Sequence, residues 1–293
     1  MVVVYRPDRP LEGLLQQLAA AVGRVVLVDN AETPDPRWPA LAQRIGVELI
    51  AAGNVGALAG AYNRALAHLR QPDSGGIDQV VLLDDDSDAS VLGRFLDDAL
   101  VARLLASPRT AAVAPAYRDR ATGLRGRSIV LDRWRLRYLE RQFSGLREVA
   151  FVINSMSVWR RDALERIGPF DETLALDHVD TDYCLRARAL GLSVSVHGDH
   201  EFAHSIGQRR RYRFLGRELQ AGGHAPWRRH LIAKNTLLLA RRWMGREPAF
   251  AFLCLTRLAY EGVGILAAED DKAAKLAALV RGAMAGLFGR GLR

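Results

Sequence analysis

The chain has 293 residues, of which 49% are apolar and 25% charged, so it can bury a large core and is unlike a disordered or fibrous protein. Its formal net charge of +8 suits a phosphorylated ligand, a polyanion or an anionic membrane surface. The two cysteines, Cys184 and Cys254, argue against a disulfide scaffold and for a reducing compartment. Val2-Val3-Val4-Tyr5 is unlike a secretory leader, and no uninterrupted apolar run of about 18 residues predicts a transmembrane helix.

Short apolar runs alternate with helical segments over the first 115 residues. The predicted strands are residues 2–5, 25–28, 47–50, 80–83 and 111–114, and the predicted helices include 10–22, 57–69 and 91–105. Pro115 is expected to end the fifth strand. Continuous apolar strands alternating with helices predict an α/β fold with a mostly parallel central sheet and helices on both faces.

Polar residues follow three of these strands where each one ends. Asp29 follows the second strand, Asn54 follows the third, and Asp84-Asp85-Asp86 follows the fourth. Ligands of such sheets bind beyond the carboxyl ends of the strands, which predicts a site at this edge. The alternative for the three aspartates is a solvated turn that caps the helix near Ser90.

The remainder of the chain is predicted to be less regular and then helical. A short helix at 161–167 precedes a helix that opens at His178-Val179-Asp180 and a strand at 192–197. Three helices follow, at 227–244, 248–268 and 272–288. We therefore expect a catalytic domain over residues 1–225 and a C-terminal helical region over residues 226–293.

Several acidic residues and one histidine are candidates for chemistry. Asp84 and Asp86, two apart at a strand end, suit one divalent cation. His204 is a candidate third ligand, although a structural histidine is the common alternative and His197 and His200 compete with it. Asp180, with Asp182 nearby, is either a general base or a charge that stabilises the helix N-terminus.

Basic residues form a second set with two interpretations. Arg209-Arg210-Arg211 and Trp227-Arg228-Arg229 are either a solvated surface or a site for a diphosphate, a polyanionic acceptor or anionic lipid. Arg64, in the predicted helix at 57–69, is equally compatible with a solvent-facing position.

Seven short segments, in this order, resemble the inverting family 2 glycosyltransferases with the GT-A fold, and bacterial rhamnosyltransferases in particular. The resemblance covers roughly residues 1–245. The segments are Val25 to Asn30, Gly53 to Gly56 with Tyr62 to Leu66, Leu82 to Ser87, Asn154-Ser155, Gly168 to Glu172, Asp180 to Arg186, and His204 to Gly207.

This resemblance implies a metal-dependent transfer of a sugar from a nucleotide-sugar donor to a hydroxyl of a cell-surface glycan or lipid-linked oligosaccharide. The favoured donor is dTDP-rhamnose, with UDP- or GDP-sugars as alternatives, and the cofactor is Mn²⁺ or Mg²⁺. It implies metal ligation by Asp86, Asp84 and His204, and catalysis by Asp180 as the base. Donor contacts fall on Tyr5, Arg6, Asp29, Asn54, Arg64, Asp84 and Asp85, and acceptor or diphosphate contacts on Asp182, Asn154, Trp227, Arg228 and Arg229.

Two departures from the family pattern affect these assignments. Asp85 stands where the rhamnosyltransferase-like set usually has Gln, and Val179 stands where an acidic residue often precedes the base. The second departure leaves Asp180 and Asp182 both open as the base, with Asp180 favoured.

Location and partners follow from the same reasoning. We expect a cytoplasmic protein, either free or peripheral on the inner face of the cell membrane. The apolar helix at 248–268 suits a membrane surface, or else packs against the catalytic domain or a second subunit of a homo-oligomer. The competing function is a non-catalytic binding or scaffolding subunit of a glycan assembly complex, and we expect no nucleic-acid partner because no recognition motif accompanies the basic residues.

Overall fold

The structure, a computed structural model, describes residues 1–71, 76–205, 210–214 and 217–289. The chain divides into two compact units. Unit 1 comprises Met1–Arg118 and Glu140–His204, and unit 2 comprises Asp119–Leu139 and Ser205–Arg293. The predicted division at residue 225 stays a prediction, and these units place residues 119–139 and 205–225 with the C-terminal helices.

The helices and strands follow the predicted alternation in the first half of the chain. The strands are β1 (Val2–Val4), β2 (Val26–Asp29), β3 (Glu48–Ala51), β4 (Gln79–Asp84), β5 (Thr110–Asp119), β6 (Ile129–Asp132), β7 (Arg135–Tyr138), β8 (Leu146–Val149), β9 (Ser157–Arg160), β10 (Ser193–His204), β11 (Arg210–Phe214) and β12 (Arg217–Ala221). The helices are α1 (Glu12–Ala21), α2 (Trp38–Ile45), α3 (Ala57–His68), α4 (Leu92–Leu96), α5 (Ala99–Leu105), α6 (Arg161–Ile167), α7 (Val179–Ala189), α8 (Pro226–Trp243), α9 (Pro248–Ala268) and α10 (Lys272–Phe288).

Unit 1 is built on an eight-stranded sheet with the order β3-β2-β1-β4-β9-β5-β10-β8. The pairs β2–β3, β1–β2 and β1–β4 are parallel, so these four strands end at the same edge. β9 lies between β4 and β5 and is antiparallel to both, and β8 is antiparallel to β10. The predicted α/β fold is confirmed, and the antiparallel strands are an addition that the apolar pattern did not indicate.

The parallel strands are apolar because both of their faces are covered. Val2 and Val4 of β1 and Leu27 of β2 are fully buried in a cluster that includes Leu15 and Leu18 of α1. Burial of such a side chain contributes roughly 1.5–3 kcal/mol, so this cluster fixes the parallel strands and their polar ends.

Two predicted boundaries differ from the structure. β5 continues past Pro115 to Asp119, and its paired positions with β9 are Ala112 and Val113, before the proline. Pro115 therefore removes no N–H donor from that ladder. The predicted helix at 91–105 is divided into α4 and α5 because Asp98 accepts the backbone N–H of Leu100 at 2.8 Å and starts a new helix.

Unit 2 contains two hairpins, β6–β7 and β11–β12, and the helices α8, α9 and α10. α10 packs closely on α8 because two of its residues are glycines. A Cβ atom at Gly282 would lie 2.2 Å from the carbonyl oxygen of His230, and one at Gly286 would lie 2.3 Å from that of Lys234. These two glycines are therefore required for the helix contact.

The helix α9 is the most apolar of the C-terminal helices. It has 21 residues with a window of mean hydropathy 1.5, so by length and composition it is apolar enough to cross a membrane. Arg257 and Glu261 interrupt its apolar sequence, and the expectation of no transmembrane helix stays a prediction. α9 also buries one side, including Phe250, Leu253 and Ile265.

Candidate active site

The carboxylate of Asp84 is held in place at the end of β4. Its Oδ1 accepts the hydroxyl of Tyr62 at 3.1 Å, and its Oδ2 accepts a hydrogen bond from the hydroxyl of Ser155. Burial raises the pKa of Asp84, while the two hydroxyl donors act in the opposite direction. Asp84 is thus a fixed carboxylate at the floor of the site.

Asp86 and His204 face one another across this strand end. His204 is the last residue of β10, and its Nδ1 lies 3.2 Å from Oδ1 of Asp86. One ligand atom from each of Asp84, Asp86 and His204 lies within 4.8 Å of the others. Two carboxylates and an imidazole suit Mn²⁺, and the carboxylates also suit Mg²⁺, so the donor set fits the implied cofactor.

Asp85 points to a different partner. Its Oδ1 lies 3.7 Å from the guanidinium of Arg9. Burial raises the pKa of Asp85 to about 6, although Arg9 counteracts this effect. The three consecutive aspartates therefore have three different surroundings, and Asp85 is set apart from the Asp84–Asp86–His204 cluster.

Three predicted donor-binding residues converge on Glu32, which the sequence reasoning did not select. Its carboxylate accepts the hydroxyl of Tyr5 at 3.0 Å, the guanidinium of Arg6 at 2.9 Å and the side-chain amide of Asn54 at 2.8 Å. These contacts join the end of β1 to the segments that follow β2 and β3. Glu32 lies three residues beyond Asp29, and a position in a loop without regular spacing offered no signal.

Asp29 is buried, with 3% of its surface exposed. Its two carboxylate oxygens accept backbone N–H groups, from Ala31 at 3.0 Å and from Asp35 at 2.8 Å. Asp29 therefore fixes the conformation of the loop that carries Glu32.

Three consecutive residues of α3 each hold a different part of the site. Tyr62 binds Asp84, as described above. Asn63 donates to the carbonyl of Phe170 at 3.0 Å and accepts its N–H at 2.7 Å. Arg64 donates to the carbonyl of Val55 at 2.7 Å, in the loop that carries Asn54. Arg64 is therefore half-buried and held by an internal contact.

The first turn of α7 distinguishes the two candidate bases. Asp182 is 1% exposed, and its Oδ2 accepts the guanidinium of Arg186 at 3.0 Å. Asp180 is half-buried, and its Oδ1 accepts the N–H of Thr181 at 2.6 Å. The charge of Asp180 is among the causes that raise the pKa of Tyr62, after burial and Asp84, so it lies near the Tyr62–Asp84 pair.

α7 is anchored by aromatic and polar contacts to the segment after α6. The ring of Tyr183 stacks on Phe170 with centroids 3.8 Å apart, and its hydroxyl donates to the carbonyl of Gly168 at 2.9 Å. Arg186 also donates to the carbonyl of Pro169 at 2.8 Å. The family-like segment at 168–172 therefore positions the helix that carries Asp180.

The remaining residues predicted to contact the acceptor or the diphosphate lie in both units. Asn154 is buried beside Ser155, whereas Trp227 is 61% exposed and Arg228 half-buried in the first turn of α8, in unit 2. In the basic segment at 209–211 and the segment at 204–207, Arg209, Ile206 and Gly207 lie outside the described residues. Ser155 and Tyr62 lay within the quoted family segments, but the sequence reasoning assigned them no role.

Arg229 has surroundings that differ from the predicted surface role. Its guanidinium is fully buried within unit 2 and pairs with Glu261 of α9 and with Glu269. Lys275 lies 3.0 Å from Glu269. Burial alone would raise the pKa of Glu269, but the N–H of Gly223 and the Lys275 ammonium hold it below its ordinary value. Arg229 therefore links α8 to α9 instead of facing an acceptor.

Replacement of Arg229 by Met is expected to destabilise the protein by about 3–5 kcal/mol, because it removes the buried partner of Glu261 and leaves Glu269 with Lys275 alone. Urea unfolding measures this as a lower midpoint. Arg242→Met, at an exposed position of the same helix, is the control and is expected to change stability by less than about 0.5 kcal/mol. Equal midpoints for the two variants would contradict the assignment.

Comparison with solved structures shows which fold the chain has. The chain matches the crystal structure of S. aureus TarS with a TM-score of 0.53 and 13% identity, over 98% of this chain and 54% of that chain. GalNAc-T7, in a crystal structure with UDP, GalNAc and Mn²⁺, matches with a TM-score of 0.47 and 12% identity, over 80% of this chain and 47% of that chain. The match to TarS shows the GT-A fold. The chain spans about half the length of these two solved structures.

One curated protein is similar to this chain in sequence. The chain is 25% identical over 258 residues to the dTDP-rhamnosyl transferase RfbF of Shigella flexneri, covering 83% of this chain and 79% of the relative. The chain thus resembles a rhamnosyltransferase in sequence and the GT-A glycosyltransferases in fold. No protein-family model matches it.

Proposed function

We propose that this protein is a metal-dependent inverting glycosyltransferase that transfers a sugar, with L-rhamnose from dTDP-rhamnose favoured, to a hydroxyl of a cell-surface glycan or lipid-linked oligosaccharide. The observation that carries the proposal is the Asp84–Asp86–His204 cluster at the end of β4 in a GT-A fold. The similarity to RfbF supports the choice of nucleotide and sugar.

Asp86 and His204 are proposed to hold Mn²⁺ or Mg²⁺ directly. Both oxygens of Asp84 already accept hydroxyl donors, which favours a supporting position or a single contact through a remaining lone pair. When bound, the cation offsets the negative charge that develops on the leaving nucleoside diphosphate.

Asp180 is proposed as the general base. It accepts the proton of the acceptor hydroxyl while that oxygen forms the new bond to the anomeric carbon and the diphosphate leaves from the opposite face. This single displacement inverts the anomeric configuration. Asp182 is a poorer candidate because its carboxylate is almost fully buried against Arg186.

The donor pocket is proposed to lie on the segments joined by Glu32. Tyr5, Arg6 and Asn54 are anchored there, and Arg64 and Asp29 fix the two loops from beneath. Preorganised loops bind a nucleotide with less loss of conformational entropy. Asp85 and Asn154 are proposed to border this pocket, and Trp227 and Arg228 to contact the acceptor.

The direct test measures binding and transfer with a panel of dTDP-, UDP- and GDP-sugars in the presence and absence of Mn²⁺. Stabilisation by dTDP with Mn²⁺, and Mn²⁺-dependent turnover of dTDP-rhamnose, are expected. A non-catalytic scaffolding subunit would bind the nucleotide without turnover of any donor. Stabilisation by UDP or GDP alone would overturn the choice of a thymidine nucleotide as the donor's nucleotide.

We further infer that unit 2 contacts an anionic membrane surface through α9. Phe252, Leu255, Val263 and Leu266 are exposed and recur at spacings of three, eight and three residues, so they lie on one side of the helix. Trp134, 72% exposed, lines the same cleft as Phe252. Exposed aromatic and aliphatic side chains of this kind suit the headgroup region of a bilayer.

Charge favours a membrane over a second copy of the chain as the occupant of this surface. Residues 226–293 contain twelve Lys and Arg against five Asp and Glu, a net charge of +7 out of the total of +8. Like charges repel, whereas anionic lipid headgroups attract this region. The buried pair of Arg229 with Glu261 favours α9 lying on the membrane over crossing it, since an ion pair is costly within the bilayer. The cytoplasmic, peripheral location is proposed on this basis.

Vesicle sedimentation tests this surface. Phe252→Ser with Leu266→Ser is expected to lower partitioning onto vesicles with anionic lipid at least about tenfold, because two apolar side chains no longer enter the interface. Leu190→Ser, at an exposed position of unit 1, is the matched control and should bind like the unchanged chain. Equal binding of both variants, or a concentration-dependent dimer that the double variant disrupts, would reject the membrane surface.

A further inference from the structure

A second group of metal-ligating side chains lies in unit 1, separate from the Asp84–Asp86–His204 cluster. It consists of Asp98, at the start of α5, and His197 and His200 of β10. The three ligand atoms lie within 4.8 Å of one another. His200 and His204 are four residues apart on the same strand, so the nearest ligands of the two clusters are roughly 13 Å apart.

The two carboxylate oxygens of Asp98 have different partners. Oδ1 accepts the N–H groups of Leu100 and Val101 and caps α5. Oδ2 faces both imidazoles, at 2.9 Å from Nε2 of His200 and 3.5 Å from Nε2 of His197. One carboxylate oxygen and two imidazole nitrogens therefore surround a common point.

The backbone between the two histidines permits this arrangement. In a regular strand, residues three apart point to opposite faces, yet the rings of His197 and His200 lie with centroids 4.8 Å apart. Gly198 lies between them, and a Cβ atom there would be 1.9 Å from the carbonyl oxygen of Phe143. A glycine is thus required for the close approach of Phe143 to the strand between the two histidines.

His197 supplies an independent sign of a ligand. Its side chain is 2% exposed, and its Nε2 is buried without a hydrogen-bond partner among the described residues, although it faces Asp98. A buried polar atom that lacks a hydrogen bond is costly, and a bound cation would remove that cost.

The other ring nitrogen of His197 has a partner for the metal-bound form. Nδ1 accepts the N–H of Asp199 at 3.2 Å, and the Asp199 carboxylate lies 3.9 Å from it. Because Nδ1 is an acceptor here, metal binding at Nε2 would move the ring proton to Nδ1 and release the Asp199 N–H. A small movement would then let Nδ1 donate to the Asp199 carboxylate. Histidine ligands of zinc are commonly oriented in this way.

We propose that Asp98, His197 and His200 bind a zinc ion that joins α5 to β10, independently of the donor site. Two imidazoles and one carboxylate, with water as a fourth ligand, match the ligand preference of Zn²⁺. Its role is structural, because the N-cap of α5 and the strand that ends in His204 are both fixed by it.

Zinc binding to the full chain with Asp86→Asn separates this site from the donor site. That chain, stripped with a chelator, is expected to bind one Zn²⁺ with micromolar or tighter affinity, to show the visible spectrum of a low-coordinate Co²⁺ site, and to gain thermal stability. Adding Asp98→Asn or His200→Gln is expected to weaken Zn²⁺ binding about 100-fold or more.

Two controls separate loss of the zinc site from loss of the fold. Asn caps helices as well as Asp, so Asp98→Asn should keep the fold by circular dichroism. Asp88→Asn changes an aspartate that caps the short helix Ala89–Val91 in the same manner, and it should leave Zn²⁺ binding unchanged. Absence of zinc in the Asp86→Asn chain, or undiminished binding after Asp98→Asn and His200→Gln, would overturn the proposal.

Discussion

Replacement of Asp180 by Asn is expected to lower kcat for sugar transfer by about 10²–10⁴, because the variant keeps the shape of the side chain but cannot accept the proton of the acceptor hydroxyl. The affinity for the nucleotide should change little, since Asp180 belongs to α7 and not to the segments joined by Glu32. Steady-state kinetics with varied donor and a fixed acceptor measures both quantities.

Asp182→Asn is the matched comparison on the same helix. It removes the carboxylate that pairs with Arg186, so a loss of stability is expected, with the remaining folded enzyme turning over donor within about tenfold of the unchanged chain. If Asp182→Asn abolishes turnover while Asp180→Asn does not, the base is Asp182. Unchanged activity of both Asp180→Asn and Asp182→Asn would refute a general base in the first turn of α7.

Replacement of Asp86 by Asn is expected to remove the stimulation of turnover by Mn²⁺, with a loss of about 10²–10³ in kcat/KM at saturating metal. The reason is that Asp86 and His204 form the part of the cluster whose atoms face one another at 3.2 Å, and an amide is a much weaker ligand for a hard cation. Turnover measured against Mn²⁺ concentration distinguishes lost metal affinity from lost catalysis.

Asp85→Asn provides the neighbouring control, because it changes the same charge one residue away and its carboxylate pairs with Arg9. The Mn²⁺ concentration for half-maximal activity should shift by less than about threefold, since no direct ligand is lost. A larger effect from Asp85→Asn than from Asp86→Asn would place the metal on the other side of the strand end and refute the ligand assignment.

The parallel half of the sheet was predictable because its strands are continuous apolar runs ending in polar residues. The position of β9 was not, because a four-residue segment with only two apolar residues shows neither its direction nor its neighbours. The passage of β5 through Pro115 depends on where its ladder with β9 stops, which is a property of the partner strand. The division between α4 and α5 was signalled by Asp98, a good N-cap residue inside an apparently continuous pattern.

The site residues were likewise predictable only in part. Asp84, Asp86 and His204 were predictable as a group because the family-like segments carry them, and the structure places them together. The contact of Asp98 with His197 and His200 joins positions about a hundred residues apart, and sequence spacing contains no record of it. The same applies to Glu32 and to the partners of Arg229, since each depends on which loops and helices meet.

Three consecutive residues of α3, Tyr62, Asn63 and Arg64, contact three different segments of unit 1. Successive helix residues point about 100° apart, so one segment holds the carboxylate of Asp84, the segment at 168–172 that anchors α7, and the loop that carries Asn54. A displacement of α3 therefore cannot alter one of these regions alone. In the proposed mechanism, donor recognition and acceptor activation would be coupled through this helix, and natural variation at residues 62–64 would have to be compensated in three separate parts of the chain at once.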